Sequence, residues 1–412
     1  MVKNYRMKST KTKRALYGTF QLNGSLALHS WYPYITGYSA EFVLESLKKY
    51  KIKPKSIVLD FFGGVGTTSI VCKKNNINSI SIDLSPLVCF VARTKLNWHV
   101  NIKETNELLS KLIDSKDKYV NLEVPEDNPL NRYFSLEILK KLLFIKNYAL
   151  EIDDKAIRDL FLLALIRILK SVSNITNSAP YFQIKNNPLK DAKVFDIFSG
   201  QVKTMIEDLS KLKENKAKSN VICGDSKEEM KKIKSNSIDF VITSPPYLNN
   251  WDYMWITKIE DLFLDFRLSR IGNKFVKSST YLLNNSDYSV KSILPDSKVR
   301  KTILLLAKKL KKERIIRSGG KRFDTIVIYY FNDMYTILKE MQRVMKKGSY
   351  ALIVLGDSGL YGIHVKTDEI IGDIGKELGL KLVGIELLRK RTASRHKIPL
   401  RESVVIFKKV LY

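Results

Sequence analysis

The chain has 412 residues, enough for one large domain with insertions or for two domains. A formal charge of +29 and a pI near 9.7 point to a polyanionic partner, nucleic acid being the simplest, although a Lys- and Asn-rich composition itself raises the basic count. The three cysteines show no paired or metal-ligand spacing and the four histidines do not cluster, which argues for a reducing compartment and against a metal site. Residues 1–28 carry six basic and no acidic side chains; they read as a mobile arm, and a basic start of this kind is no signal peptide. The longest apolar run, Leu160 to Ile166, lies between Arg158 and Arg167 and is far too short to span a bilayer, so it predicts a buried helix.

After the arm comes an aromatic cluster, His29-Ser30-Trp31-Tyr32-Pro33-Tyr34, with Gly37-Tyr38-Ser39-Ala40 opening a helix. Ser56-Ile57-Val58-Leu59-Asp60 predicts a strand that runs into Phe61-Phe62-Gly63-Gly64-Val65-Gly66-Thr67-Thr68, a glycine turn leading into a helix. The turn lacks the last glycine of the dinucleotide fingerprint and the Gly-Lys-Ser/Thr of a phosphate loop, so phosphate binding is the poorer reading. A second strand ends in Asp83 and a third, Asn220 to Asp225, ends in Asp225; either carboxylate alone would pass for a helix cap. Between these two strands, residues 104–218 follow a helical period with 19 basic and 17 acidic residues. Residues 267–322 hold 16 basic and 3 acidic residues, and Thr302 to Arg317 predicts a helix with Ile303, Leu304, Leu306, Leu310 and Ile315 on its apolar face. The C-terminal part alternates again: a helix over Phe331–Val344, a strand over Ser349–Leu355, a helix over Asp368–Leu378, strands at Lys381–Ile385 and Ser403–Phe407, and a basic loop from Arg389 to Arg401. Alternation of this kind predicts an α/β fold with a doubly wound, mostly parallel sheet.

The strongest local signal is Thr243-Ser244-Pro245-Pro246-Tyr247, directly after the apolar strand Ile238 to Ile242. Two prolines cannot continue a ladder, and each pushes the residue before it away from helical geometry. What remains is a stiff ledge of carbonyls with no N–H at Pro245 or Pro246, ending in an aromatic ring. Such a ledge suits a planar amine, whose hydrogens the carbonyls accept and whose face the ring stacks on.

Together these motifs resemble the amino-group DNA methyltransferases that use S-adenosyl-L-methionine. The family's Asp-Pro-Phe-x-Gly-Ser-Gly-Thr-Thr stands here as Asp60 to Thr68, with Phe61 and Val65 as departures. Thr-Ser-Pro-Pro-Tyr is most like the forms that methylate cytosine N4, whereas adenine-N6 enzymes more often carry Asp or Asn in place of Ser244. The resemblance implies a Rossmann-like methyltransferase fold in which Asp60, Phe62, Gly63, Gly64, Gly66, Thr67 and Thr68 border the cofactor. Asp83 would accept its ribose hydroxyls, Asp225 would face its adenine, and His29–Tyr34 with Gly37–Ala40 would pack on the methionine end. It places catalysis on Ser244, Pro245, Pro246 and Tyr247, with a target base flipped from duplex DNA and stacked on Tyr247; Trp251, Tyr253 and Trp255 follow closely enough to line that site. It further implies a modification enzyme of a restriction–modification system in the prokaryotic cytosol at the nucleoid, with a companion endonuclease, no membrane and no metal.

The domain organisation that follows is a basic arm at 1–28, a cofactor half at 29–103 and a helical insert at 104–218. A catalytic half at 219–266, a basic insert at 267–326 and a C-terminal part at 327–412 complete it. The basic insert is the candidate for target recognition, with phosphate contacts expected from Lys308, Lys309, Lys311, Lys312, Arg314 and Arg317, and further ones from Arg389, Arg391 and Arg395. Adenine-N6 methylation, RNA base methylation and a non-catalytic DNA-binding scaffold remain the competing readings. Cytosine C5 methylation is disfavoured, because Cys72, Cys89 and Cys223 each follow an aliphatic residue and not the proline of that nucleophile's usual setting.

Overall fold

Short apolar runs become strands and amphipathic runs become helices in a computed structural model that describes residues 13–176, 183–185, 189–249, 253–266, 276–283, 291–393 and 397–410. The central sheet holds β1 (Ile57–Asp60), β2 (Asn78–Asp83), β3 (Ser219–Cys223), β4 (Ile238–Thr243), β5 (Met345–Gly356), β8 (Leu380–Thr392) and β9 (Pro399–Lys409) in the order β3-β2-β1-β4-β5-β9-β8. β6 (Ser358–Leu360) and β7 (Ile363–Val365) form a separate two-stranded ribbon. Neighbours from β3 to β5 pair parallel, while β9 is antiparallel to both β5 and β8. The sheet is thus the mostly parallel α/β arrangement that the alternation predicts. Its order reverses between β1 and β4, and in open sheets of this type ligands bind outside the carboxyl ends of the strands at such a switch point.

Helices start where caps stand ready. α1 (Ala40–Lys49) is capped by Ser39 accepting from the Phe42 N–H, and α3 (Pro86–Leu96) opens on a proline already set to helical φ. α2 (Thr67–Lys74) connects β1 to β2. α4 (Ile102–Asp114), α5 (Leu136–Leu150), α6 (Lys155–Leu169) and α7 (Val194–Ser210) make up the helical insert. α6 includes the run Leu160–Ile166, every residue of which is buried. These helices share one apolar core with α3 and with Leu28, Trp31 and Tyr32. After β3 and β4 come α8 (Ser226–Glu229), α9 (Tyr253–Ile256) and α10 (Lys258–Phe263); α11 (Lys298–Ile316), α12 (Phe323–Val344) and α13 (Thr367–Glu377) follow. α1 and α2 cover one face of the sheet through Val58, Phe240 and Ile242, while α12 and α13 cover the other through Leu59, Val241 and Phe407.

Three expectations need correction. α12 begins at Phe323, eight residues before the expected start, so the boundary drawn between 326 and 327 cuts a continuous helix. α11 buries Val299, Ile303, Ala307 and Leu310, whereas Leu304 and Ile315, assigned to its apolar face, are 39% and 65% exposed. The supposed basic loop from Arg389 is largely strand: β8 runs to Thr392 and pairs with β9 from Pro399. No helix among the described residues is long and apolar enough to cross a membrane.

Candidate active site

At the switch point, the turn after β1 is drawn tight against β2. The Gly63 N–H donates to the Ile82 carbonyl (2.9 Å), and any Cβ on Gly63 would lie 1.7 Å from Ser81 Oγ, so only glycine fits. Gly64 has φ +50° and donates its N–H to Asp83 Oδ2 (2.9 Å), while the Ser85 N–H donates to Oδ1 (3.0 Å). Burial raises the Asp83 carboxyl to about 6, with those two N–H groups pulling the other way. Asp60 is buried beneath the turn; Tyr38 and Thr68 donate their hydroxyls to its Oδ2 (2.6 and 2.8 Å), and the Phe62 N–H donates to Oδ1 (3.2 Å). Desolvation nonetheless lifts the Asp60 carboxyl above the usual carboxylate range.

These groups border one cavity. From the cofactor candidates it is lined by Asp60, Phe62, Gly63, Gly64, Thr67, Asp83 and Asp225; from the ledge, by Ser244 and Pro246. Gly66 instead heads α2 with a φ of +84°, and Thr68 is spent on Asp60, so both shape the wall from behind. Asp225 caps α8 by accepting from the Lys227 N–H (2.9 Å), which unites its cap role with its place on the cavity. Tyr34, Thr36, Tyr38, Leu84, Ser85, Val88 and Thr257 also face the cavity and were not among the assigned site residues. The aromatic cluster and the Gly37–Ala40 run pointed to Tyr34 and Tyr38, but not to Thr36. Thr257 carried no motif and arrives only through tertiary folding.

On the ledge, Ser244 donates its hydroxyl to the Val354 carbonyl (3.3 Å), which leaves its lone pairs to accept from another group. Pro245 is buried. Tyr247 donates its hydroxyl to Glu402 Oε1 (2.9 Å) and carries the Arg391 guanidinium 5.7 Å from its ring centre. Its ring packs so close to Gly356 that a Cβ there would lie 2.6 Å away. The ring is therefore fixed in orientation and half-buried. Trp251 lies outside the described residues, as does the side chain of Tyr253; the Trp255 ring is capped by the Lys258 ammonium at 4.6 Å.

The expected phosphate contacts divide. Lys308, Lys309, Lys311 and Lys312 all project from α11 and are exposed. Arg317 is exposed, paired with Glu313 (3.3 Å) and stacked 5.3 Å over the Tyr361 ring. Two assignments are corrected. Arg314 makes a two-pronged pair with the buried Asp324 (3.0 Å on each arm), and Arg389 is held by the buried Glu402, so both serve internal carboxylates. Arg391 is likewise half-buried against Tyr247 and donates to the Asp357 carbonyl (3.2 Å). Arg395 lies outside the described residues.

Residues 31–93 match the model of the N6/N4 DNA methylase family. The type II methyltransferase M.BsoBI of Geobacillus stearothermophilus is 22% identical, over 98% of this chain and 90% of its own. M.AvaI of Nostoc sp. is 20% identical over 90% and 82%, and M.MvaI of Kocuria varians is 21% identical over 79% and 76%. Among solved structures, a SAM-dependent methyltransferase from Methanosarcina mazei aligns over 89% of this chain and 98% of its own at 9% identity; its TM-score of 0.32 is too low to bear on the fold.

The resemblance to the amino-group DNA methyltransferases is thus borne out, and S-adenosyl-L-methionine is the cofactor. The cavity fits such a ligand. Asp60, Asp83 and Asp225 suit a molecule that carries sulfonium and ammonium cations, and Gly64 puts no side chain on the wall that it shares with Tyr34. Thr36 Oγ1 is buried on the wall with no hydrogen-bond partner among the described residues, a polar atom that a bound polar group would satisfy.

Proposed function

We propose that the protein methylates DNA on the exocyclic amino group of a flipped-out base, cytosine N4 in preference to adenine N6, as the modification enzyme of a restriction–modification system. The observation that carries this reading is a shared wall: Ser244 and Pro246 of the ledge line the same cavity as Asp83 and Asp225. An amine held on the ledge would therefore meet the cofactor's side of the site directly. The cofactor supplies an already activated methyl group, so the chain's task is to position the acceptor, a contribution worth about 7–11 kcal/mol in well-oriented reactions.

An aromatic amine is a poor nucleophile because its lone pair is shared with the ring. The Ser244 hydroxyl, whose own hydrogen is given to Val354, is an acceptor for one amino hydrogen, and the ledge carbonyls are acceptors for the other. These contacts localise the nitrogen lone pair and stabilise the positive charge that grows there on transfer. The anchoring of Tyr247 to Glu402 holds a flat aromatic group beside the ledge at little further entropic cost. A serine at the first ledge position supports the N4 assignment by resemblance. The type II names of the relatives support the restriction–modification setting.

Incubation with methyl-labelled cofactor and DNAs of differing sequence, followed by mass spectrometry of the nucleosides, tests the reading. N4-methylcytosine is the expected product. N6-methyladenine would reassign the base, and transfer to RNA alone would overturn the DNA reading.

A further inference from the structure

Past the ledge in the chain, residues line a second cleft, distinct in its walls from the cofactor cavity. Leu248 and Asn249 line it, whereas Ser244 and Pro246 do not, so the chain crosses from one cavity to the other at Tyr247. Its remaining walls come from the α11–α12 turn, the residues after β5 and the β8–β9 hairpin, three segments far apart in sequence. The turn contributes Arg317 and Lys321 and passes through Gly319 and Gly320 at φ +110° and +114°, a geometry that side chains resist. A Cβ on Gly320 would lie 2.7 Å from the Tyr361 hydroxyl, which itself donates to the Lys321 carbonyl (2.7 Å). The turn is therefore clamped onto Tyr361, and Arg317 is stacked over that ring. Lys321 is exposed and has no acidic partner among the described residues.

Two residues that line this cleft also each hold a buried polar atom with no hydrogen-bond partner among the described residues. One is Oδ1 of Asp357, a residue 2% exposed, whose other oxygen meets His364 Nε2 (2.8 Å) and Arg401 Nε (3.3 Å). The other is Nε of Arg391, whose terminal nitrogen is held by the Asp357 carbonyl. An unsatisfied acceptor and an unsatisfied donor in one cleft are costly unless a ligand completes them. A nucleobase edge presents a donor beside an acceptor, and the phosphate it trails matches two cations at the cleft mouth.

We propose that this cleft is a nucleotide subsite that reads a base next to the target on the substrate strand. Arg317 and Lys321 hold its phosphate, and Asp357 and Arg391 meet its base edge. The target base itself is excluded from the cleft, because its amine must reach Ser244 and Pro246, which face the other cavity. The inference rests on the DNA methyltransferase reading and adds to it a recognition site built outside the basic helix.

The test takes a duplex that the wild-type protein methylates and measures three quantities: binding of that duplex by fluorescence anisotropy across a salt series, relative methylation of duplexes changed at the positions flanking the target, and cofactor affinity by calorimetry. Neutralising both cations in Arg317→Ala/Lys321→Ala should lower the log–log salt slope by about 1.8, two phosphate contacts at roughly 0.9 each, with cofactor affinity unchanged. Arg391→Lys keeps the charge but loses the guanidinium fork, so the slope should hold while discrimination at a flanking base falls by about tenfold or more. An unchanged slope in the first variant, or unchanged flanking preference in the second, overturns the subsite. Because the wild type methylates DNA in the same assay, either result leaves the activity standing; absence of methylation on every DNA would instead remove the reading beneath it.

Discussion

Burial lifts the Asp83 carboxyl to about 6 although two backbone N–H groups donate to it, so its protonation state changes close to neutrality. The ionised form accepts two ribose hydroxyls and the protonated form loses an acceptor. Cofactor affinity should therefore be full above about pH 7 and decline as pH falls through 6, and Asp83→Asn should be weaker throughout and flat over that range; calorimetry from pH 5 to 8 reads both. The sign for stability is opposite. A carboxyl whose folded pKa lies above its unfolded value of 3.8 stabilises the empty protein most at low pH, and that contribution disappears as pH rises through 6. Gly64→Val combines a left-handed φ, costing about 1–2 kcal/mol for a side-chain-bearing residue, with a Cβ 3.4 Å from the Tyr34 ring. It should weaken cofactor binding in a protein that still folds, as titration of the purified variant would show. Tyr247→Ala should instead leave cofactor affinity intact and cost about 1–3 kcal/mol in kcat/KM for DNA, the usual worth of a base-stacking ring. Wild-type turnover in that variant would take Tyr247 off the target site. At this scale the sequence was most legible where geometry forces identity, as at Gly63, and where a strand ends in a carboxylate. Thr36 and Thr257 escaped because a lone threonine carries no signal until distant segments meet.

Among the elements, α11 shows what a periodic pattern can and cannot settle. Helix and approximate span are right, but its buried stripe runs through Val299, Ile303, Ala307 and Leu310 and not through Leu304 or Ile315. Leucine and isoleucine are so frequent along this helix that several phases score alike, and α12 and α13, which choose among them, lie elsewhere in the sequence. β8 misled in a second way. Arg389 and Arg391 read as part of a basic loop facing phosphates, yet strand alternation turns both to one side, where Glu402 and the Asp357 carbonyl receive them. The four lysines of α11 are exposed, as contact with phosphates would require. Replacing Lys308, Lys309, Lys311 and Lys312 with Ala should flatten the salt dependence of DNA binding by up to about 3.6 in the log–log slope, four contacts at roughly 0.9 each, while cofactor affinity holds. An unchanged slope would remove the helix from the DNA interface.

Across the whole molecule, sheet class and motif order were readable because each strand ends beside its own signal, whereas the standing of the helical insert was not. Its nearly balanced charge leads to the expectation of a scaffold, and the packing ties it to the rest of the molecule. Trp31 donates its indole N–H to Asp208 on α7 (2.7 Å), and Lys170, just beyond α6, reaches both Glu260 (2.8 Å) and the Ile256 carbonyl (3.0 Å). One apolar core runs from Val88 and Val91 of α3 through Leu142, Leu163 and Phe198 of the insert. Val88 and Tyr34 stand on the cofactor cavity as well as against that core, so strain in the insert has a short path to the ligand. Leu163→Ala should cost about 2–5 kcal/mol, as deletion of a wholly buried leucine commonly does. A shared core predicts that calorimetry shows one unfolding transition for the wild type, shifted as a unit in the variant, with cofactor binding lost across the same temperatures. An insert that folds by itself would give two transitions, only one of them moved, and a cofactor site that outlives the first.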